Sequence, residues 1–209
     1  MVDAVAVAAE IKRFAPAGAA LLLDSRKIRK GDVFFAVKGV HTDGRAFIEK
    51  ACGAGASCVV AEKGDIGPCS VPVIEIDNLY RALGPIAAAY YGNSTAQMIG
   101  IAVTGTNGKT TTWIADLMNR LGTPCASIGT LGCTLNGIVL PSVSMTTPDP
   151  LTLQAKFAEL LSRGCKAFAM EASSIGLEQG RLDGTEIKTA VFTNLTLENM
   201  TIDAERSEE

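Results

Sequence analysis

One stretch in the middle of the chain, GIAVTGTNGKTTT at residues 100–112, constrains the fold most. The apolar run over residues 98–103 predicts a buried strand, and apolar residues at helical spacing follow up to Gly122. Between them lies a loop with two glycines, followed by a lysine and three threonines. Such a loop lets backbone N–H groups approach phosphate oxygens, and the helix N-terminus adds its positive end. The stretch therefore predicts a nucleotide phosphate site in an α/β domain.

The polar residues of this loop have definite expected roles. Lys109 would place its charge on the outer phosphates, and the Thr110 hydroxyl would bind Mg²⁺. The strict Walker spacing needs glycine at position 103, where this chain has Val103, so the loop is a shorter GxxGKT variant. The alternative is a glycine turn that only caps a helix. A cap needs neither the lysine nor the row of hydroxyls, so we expect phosphate binding.

A second residue is expected to hold the metal. Glu171 follows an apolar run at residues 167–170, which predicts a strand that ends at the carboxylate. Ligands of open α/β sheets lie beyond the carboxyl ends of the strands. Glu171 should therefore bind Mg²⁺ directly or through water. The alternative is an ordinary solvated carboxylate at the end of a strand.

Composition excludes several classes of protein. The net charge of −3 and the pI near 5.3 argue against a nucleic-acid-binding surface. The longest charge-free apolar stretches, residues 4–9 and 15–23, are shorter than the ~20 residues that span a bilayer. Six cysteines without a CxxC pair and a single histidine, His41, indicate neither a disulfide scaffold nor a zinc site. We expect a cytoplasmic protein with buried thiols and with neither nucleic-acid nor membrane partners.

Strand-like and helix-like segments alternate along the chain, which predicts an α/β fold with two domains. The polar stretch GNSTAQ at residues 92–97 is the best linker. We expect a small α/β domain over residues 1–92, and a P-loop-type domain with a mainly parallel sheet over residues 97–196. The acidic residues 197–209 have no apolar rhythm and are expected to be disordered.

Local signals refine this outline. Asp77 or Asn78 is expected to cap a helix in which Pro85 forces a kink or a later start. Asn136 and Gly137 predict a hairpin turn, because both positions need a positive φ. The helix after the loop carries apolar residues at helical spacing: Trp113, Ile114, Leu117, Met118 and Leu121. The helix after TTPDP is expected to face inward with four residues: Leu153, Phe157, Leu160 and Leu161.

Four motifs together resemble the ATP-binding half of the Mur ligases: TGTNGKTTT, TTPDP, MEASS with the Gln and Arg after it, and FTNLT. Upstream, DSRKIRKGDVFFAVKGVHTDGR is similar to the uridine-nucleotide domain of the MurE branch of that family. Members of this branch add the third amino acid to UDP-N-acetylmuramoyl-L-alanyl-D-glutamate in peptidoglycan synthesis. The upstream block favours that branch over MurC, MurD and folylpolyglutamate synthase, which share the GTNGKT loop.

The resemblance implies roles for individual residues. Lys109 and Glu171 would be catalytic, and Thr110 and Glu171 would bind magnesium. ATP would be bound by Gly105, Thr106, Asn107, Gly108, Lys109, Thr110 and Thr111. The UDP-linked substrate would be bound by Leu23, Ser25, Val40, His41, Thr42, Thr146, Thr147, Ser173, Gln179 and Arg181.

The implied reaction transfers the γ-phosphoryl group of ATP to a substrate carboxylate, and an amine then attacks the acyl phosphate. The cofactors are ATP and Mg²⁺, and the partners are the UDP-N-acetylmuramoyl dipeptide and an amino acid. Diaminopimelate is the default amino acid, by resemblance only. Full-length relatives are expected to be monomeric.

Several of these residues have simpler explanations. Ser25 after Asp24 fills a turn readily. Thr147 or Asp149 can cap the next helix. Gln179 and Arg181 flank a glycine and read equally well as a solvated loop pair. His41 is singled out only by the pattern around it.

The chain departs from the resemblance after FTNLT. Asn199 stands where the family pattern has a metal-binding histidine, and no lysine follows Lys188. The sequence also lacks the C-terminal domain of the family pattern. We therefore expect an incomplete ligase that binds nucleotide weakly and does not complete amide synthesis. A shifted frame, a shortened gene or a deliberately cut chain would each give this sequence. The sheet would then keep an open edge, and the fragment could self-associate.

Two other interpretations remain. One is a non-catalytic fragment that binds the UDP-sugar and ATP. The other is an unrelated P-loop ATPase, which the DSR block and the glutamate in AMEASS disfavour.

Overall fold

The computed structural model describes residues 2–39, 42–105, 109–140 and 147–194. The chain forms two units, one of Met1–Asn93 with Pro150–Ala155 and one of Ser94–Asp149 with Lys156–Glu209. The chain leaves the first unit between Asn93 and Ser94, within the polar stretch at residues 92–97. The assignment of residues 1–92 and 97–196 as functional domains stays a prediction. The expected disordered tail, residues 197–209, lies outside the described residues.

The first unit is a four-stranded parallel sheet with helices. Its elements are α1 (Ala4–Phe14), β1 (Leu21–Leu22), β2 (Val33–Ala36), α2 (Ile48–Gly53), β3 (Cys58–Glu62), β4 (Val73–Ile76) and α3 (Leu79–Tyr90). The strands lie side by side in chain order, and each pairs with the next in parallel. Successive residues of β2 join different cores: Phe34 packs with Ile48 and Val59, and Phe35 packs with Ile11 and Leu83. Both faces of the sheet are therefore covered, as expected for parallel strands.

The start of α3 corrects the sequence prediction. Asn78 occupies the N-cap position with φ 55°, but its side chain makes no capping hydrogen bond. The carboxylate of Glu62, at the end of β3, instead accepts hydrogen bonds from the backbone N–H groups of Asn78 at 2.8 Å and Leu79 at 2.9 Å. This cap is distant in sequence, so local capping rules miss it.

Pro85 neither ends α3 nor delays its start, because the helix runs unbroken from Leu79 to Tyr90. Proline removes one backbone donor inside a helix. Leu83 and Ile86, on either side of it, are almost completely buried. Packing of this face holds the helix where propensity disfavours it.

The second unit is a six-stranded, mainly parallel sheet, as predicted. Its elements are β5 (Ile99–Thr104), α4 (Lys109–Arg120), β6 (Cys125–Gly129), β7 (Gly132–Leu135), β8 (Ile138–Leu140), α5 (Pro150–Ser162), β9 (Ala167–Glu171), α6 (Ser174–Glu178) and β10 (Thr189–Phe192). Helix α5 is shared, because its residues Pro150–Ala155 belong to the first unit. The strand order is β10-β5-β9-β6-β7-β8. The first four are parallel, and β7 and β8 continue the sheet in antiparallel fashion.

Local predictions in this unit had mixed outcomes. The hairpin turn is confirmed, with φ 51° at Asn136 and 76° at Gly137. Three of the four predicted inward residues of α5 are completely buried: Leu153, Phe157 and Leu160. However, Trp113 and Leu117 of α4 and Leu121 just after it are exposed, and the small residues Thr111 and Ala115 of α4 are buried. Ala115 packs against Cys125 and Ala167 of the sheet, so close packing selects small side chains there.

The thiols are mainly buried. Cys58, Cys125, Cys133 and Cys165 are buried, as predicted, and burial raises the pKa of Cys58 to about 11 and of Cys125 to about 12. These thiols therefore stay neutral at physiological pH. Cys52 and Cys69 are half-buried, with their Sγ atoms 3.2 Å apart.

In the part of the chain that is described, every helix is too short or too polar to cross a membrane.

Replacing Glu62 with alanine should lower the free energy of unfolding by about 1–2 kcal/mol, because two N–H groups at the start of α3 lose their acceptor. Urea denaturation followed by circular dichroism measures this change. Glu75→Ala is the matched control, since Glu75 is an exposed glutamate on the neighbouring strand β4. Equal stability of the two variants would contradict the capping role of Glu62.

Candidate functional site

Four strands of the second unit end at the same edge of the sheet. The parallel register pairs Val103 with Glu171 and Thr104 with Phe192, and it places Ile128 beside Met170. The carboxyl ends of β10, β5, β9 and β6 therefore lie next to one another. Ligands of open α/β sheets bind at this edge.

The chain at the end of β5 requires a glycine. Gly105 has φ +149°, and a Cβ there would overlap the hydroxyl of Thr193 and lie 2.8 Å from Asn194 Oδ1. The backbone N–H of Thr193 also donates to the carbonyl of Thr104 at 3.0 Å. Thr193 and Asn194, the two residues after β10, thus pack against the start of the predicted phosphate loop. The FTN motif and the phosphate-loop motif are far apart in the sequence, and the parallel register of β10 and β5 brings them together.

After Gly105, the structure describes the chain again from Lys109, where α4 begins. Lys109 is exposed, Thr110 is half-buried and Thr111 is buried. A lysine at this position can reach a phosphate bound at the helix N-terminus. Thr106, Asn107 and Gly108 lie outside the described residues, so their roles as ATP ligands stay predictions.

Glu171 extends from the end of β9 toward the end of β6. Its Oε2 atom accepts a hydrogen bond from the Thr130 hydroxyl at 2.9 Å. A Cβ on Gly129 would overlap the Glu171 carboxyl group, so the carboxylate lies directly over that glycine. Neither Gly129 nor Thr130 is singled out by the sequence, because the interpretation missed strand β6. A short run of small residues, CASIG, carries no alternation to reveal it.

Four residues predicted to contact the substrate are joined by hydrogen bonds around Thr147, which is 1% exposed. The Thr147 hydroxyl lies 3.2 Å from the carbonyl oxygen of Glu171 and 3.2 Å from the Ser173 hydroxyl. Arg181 Nη1 donates to the carbonyl of Thr147 at 2.8 Å. Arg181 Nη2 donates to Gln179 Oε1 at 2.6 Å, so Gln179, itself exposed, is linked through Arg181 to Thr147. Thr146 lies outside the described residues.

Ser173 also has a local structural role. Its hydroxyl accepts a hydrogen bond from the N–H of Gly176 at 3.0 Å and so caps α6. Gly176 leaves little room, because a Cβ there would lie 2.9 Å from Ser173 Oγ and 3.0 Å from Thr147 Cβ. The cluster is therefore rigid and closely packed.

In the first unit, the structure describes three of the residues predicted to bind UDP: Leu23, Ser25 and Thr42. Ser25 is buried and begins a 3₁₀ turn after Asp24, so the turn interpretation of Ser25 holds whatever it binds. Hydrogen bonds from the Arg26 side chain lower the pKa of Asp24 to about 2, and the neighbouring turn repeats this arrangement with Asp43 and Arg45. These ion pairs brace both turns.

Two other residues of that set are accessible. Thr42 precedes Asp43 and is exposed, and Leu23 is 36% exposed. Val40 and His41 lie outside the described residues.

The donors at the sheet edge suit magnesium. Among the described residues, no group of three or more His, Cys, Asp and Glu side chains could hold a metal. A cation here would therefore depend on phosphate oxygens together with single protein ligands. The Glu171 carboxylate and the Thr110 hydroxyl are oxygen donors, the type that Mg²⁺ binds alongside nucleotide phosphates.

Comparison with known families agrees with this architecture. A model described as "Mur ligase family, catalytic domain" matches residues 19–91, and one described as "Mur ligase middle domain" matches residues 103–201. The chain belongs to the Mur ligase family. The two matches correspond to the N-terminal and middle domains of Mur ligases.

The chain is also similar to individual Mur ligases over most of its length. The chain is 45% identical over 204 residues to a UDP-N-acetylmuramoyl-L-alanyl-D-glutamate–2,6-diaminopimelate ligase of Ralstonia nicotianae, with 91% of this chain and 39% of that protein covered. A protein of the same description from Geobacter sulfurreducens is 39% identical over 202 residues, with 96% and 39% covered. The chain thus spans about two fifths of the length of these Mur ligases.

Solved Mur ligases share the fold. A structure of a ligase of that description superposes with a TM-score of 0.68 at 30% identity, covering 91% of this chain and 42% of the other. A Mur ligase of Acinetobacter baumannii that adds D-alanyl-D-alanine superposes with a TM-score of 0.63 at 20% identity, covering 92% and 41%. At 20% identity, the similarity to the Acinetobacter baumannii structure shows a shared fold alone.

Replacing Gly176 with alanine should lower the free energy of unfolding by about 1–3 kcal/mol, because the added methyl group overpacks the contact between Ser173 and Thr147. Thermal and urea denaturation measure the change. Gly53→Ala is the control, since a Cβ there meets nothing within 4 Å and the residue ends helix α2. That variant should keep wild-type stability or gain slightly. A Gly176→Ala variant as stable as Gly53→Ala would contradict the close packing around Thr147.

Proposed function

We propose that this chain provides the UDP-substrate-binding and ATP-binding parts of a diaminopimelate-adding Mur ligase. Its substrates would be ATP, UDP-N-acetylmuramoyl-L-alanyl-D-glutamate and diaminopimelate. Both nucleotide substrates are cytoplasmic metabolites, so the proposal places the protein in the cytoplasm. The observation that carries it is that β5, which Gly105 follows, and β9, which ends at Glu171, are adjacent parallel strands of a Mur ligase chain, and that α4 begins at Lys109.

The proposed chemistry has two steps. The terminal carboxylate of the substrate attacks the γ-phosphorus of ATP, ADP leaves, and an acyl phosphate forms. The amine of the incoming amino acid then attacks the acyl carbon, loses a proton, and phosphate leaves as the amide forms. Both reactants of the first step are anionic, so their approach needs positive groups nearby.

The residues of the second unit would meet this need. Lys109 would neutralise the outer phosphates, and the N–H groups in the first turn of α4 would face them. Magnesium, bound through Glu171 and Thr110, would supply charge neutralisation at the same phosphates. Thr147, Ser173, Gln179 and Arg181 would hold the peptide-bearing part of the substrate. Their hydrogen bonds to one another and to the carbonyl of Glu171 support a common position.

The first unit would hold the uridine diphosphate. Leu23, Ser25 and Thr42 would line that site, together with Val40 and His41. The braced turns around Asp24 and Asp43 support a preformed binding surface.

A second candidate is a binding protein without turnover. Asn199, at the position where the family pattern has a metal-binding histidine, favours it. ATP-dependent phosphate release in the presence of both other substrates distinguishes the two. Release that needs both substrates supports the ligase, and binding without release supports the second candidate.

Calorimetric titration of ADP with magnesium into the 209-residue chain tests nucleotide binding. Lys109→Ala should weaken this affinity by about 10- to 100-fold, because a charge-assisted hydrogen bond to phosphate is lost. Lys166→Ala is the matched control, an exposed lysine of the same unit that precedes β9.

Titration with UDP-N-acetylmuramoyl-L-alanyl-D-glutamate gives a second readout. The affinity of Lys109→Ala for this ligand should stay within about twofold of wild type, since one lysine contact to ATP leaves the uridine site unchanged. Equal ADP affinity of the two lysine variants would contradict the phosphate role of Lys109.

A further inference from the structure

We propose that Thr130 is a positioning residue that holds the Glu171 carboxylate where magnesium binds, and that Gly129 keeps the space for it. This inference rests on the proposed function, since it concerns the magnesium of the proposed nucleotide site. It adds two residues to the ATP-binding half of the site, one at the end of β6 and one in the β6–β7 turn.

The turn that carries Thr130 is short and fixed. Gly129 pairs with Gly132 across the antiparallel strands β6 and β7, so Thr130 and Leu131 alone connect them. Gly132 has φ +95°, a conformation that glycine adopts without strain. One further contact ties the same two strands, because the hydroxyls of Ser127 and Thr134 lie 2.7 Å apart. A two-residue connection between paired strands leaves the Thr130 side chain little freedom.

Thr130 engages one carboxylate oxygen of Glu171, and the other oxygen lies over Gly129. Glu171 Oε2 accepts the Thr130 hydroxyl at 2.9 Å. Among the described residues, Oε1 receives no hydrogen bond, and no lysine or arginine forms an ion pair with this carboxylate. The donor is a neutral hydroxyl, so the negative charge of Glu171 is oriented without being neutralised. This combination suits a ligand of a divalent cation, because the groups that hydrogen-bond to a metal-binding carboxylate typically orient it.

Gly129 supports the same role by a separate observation. A Cβ at this position would overlap the end of the Glu171 side chain. Since Glu171 is flexible, alanine there would displace the carboxylate and leave the backbone in place. Thr130→Val and Gly129→Ala should therefore disturb magnesium binding by two different routes, one through a lost hydrogen bond and one through lost space.

The test measures ADP affinity by calorimetry with magnesium and again with EDTA. In magnesium, Thr130→Val and Gly129→Ala should each bind ADP about tenfold more weakly than wild type, the effect of one hydrogen bond to a charged group. In EDTA, all variants should bind ADP as wild type does. Thr130→Ser keeps the hydroxyl and should restore affinity to within about twofold.

Mn²⁺ gives an independent readout, because its free-ion electron paramagnetic resonance signal falls when the ion binds. With ADP present, Thr130→Val should leave more free Mn²⁺ than Thr130→Ser at equal protein concentration. Leu131→Ala is the matched control, since Leu131 is the other residue of the turn and is 79% exposed. It should match wild type in both measurements.

The outcomes separate this inference from the proposed function. If wild type binds magnesium ADP and Thr130→Val binds it equally well, the positioning role is wrong while the proposed function stands. An equal loss with EDTA would make Thr130 a general structural residue and would also overturn the role. If wild type shows no magnesium-dependent nucleotide binding, the proposed function fails, and the role of Thr130 fails with it.

Discussion

The parallel register of β10, β5, β9 and β6 is the constraint on which the rest of the site depends. Parallel pairing aligns the carboxyl ends of strands that are far apart in sequence, and here it joins Gly105, Glu171, Thr130 and Thr193. None of these residues could meet the others through local structure alone. The backbone hydrogen bonds of the sheet therefore determine which side chains come together at this edge.

Much of this architecture could be predicted from the sequence where the signal is local. The strand–helix order of β5 and α4 and the Asn136–Gly137 turn follow from local residue patterns, and the mainly parallel sheet follows from alternating segments. Strand β6 escaped prediction because buried strands of small residues carry no alternation. Because β6 was not predicted, Thr130, the residue after it, was not identified as a candidate site residue. The cap of α3 by Glu62 escaped for a related reason, since its partners are 16 and 17 residues away.

Close packing explains which side chains the site tolerates. Glycines 105, 129 and 176 each lie where a methyl group would strike a polar side chain of the candidate site. Small residues on α4 likewise face the sheet, while Trp113 and Leu117 face outward. The sequence predicts apolar spacing on α4 but not which face packs, because the choice depends on the room above the sheet. Steric room at the strand ends thus complements the hydrogen bonds that orient Thr147 and Glu171.

The most direct test of the account is where a nucleotide binds. Amide chemical shifts of the isotopically labelled chain, recorded before and after addition of ADP with magnesium, locate the site residue by residue. The account predicts that the largest changes fall at the carboxyl ends of β5, β6 and β9 and in the first turn of α4, at residues such as Gly105, Lys109, Thr130 and Glu171. Changes concentrated at the opposite ends of these strands, or confined to the first unit, would contradict it.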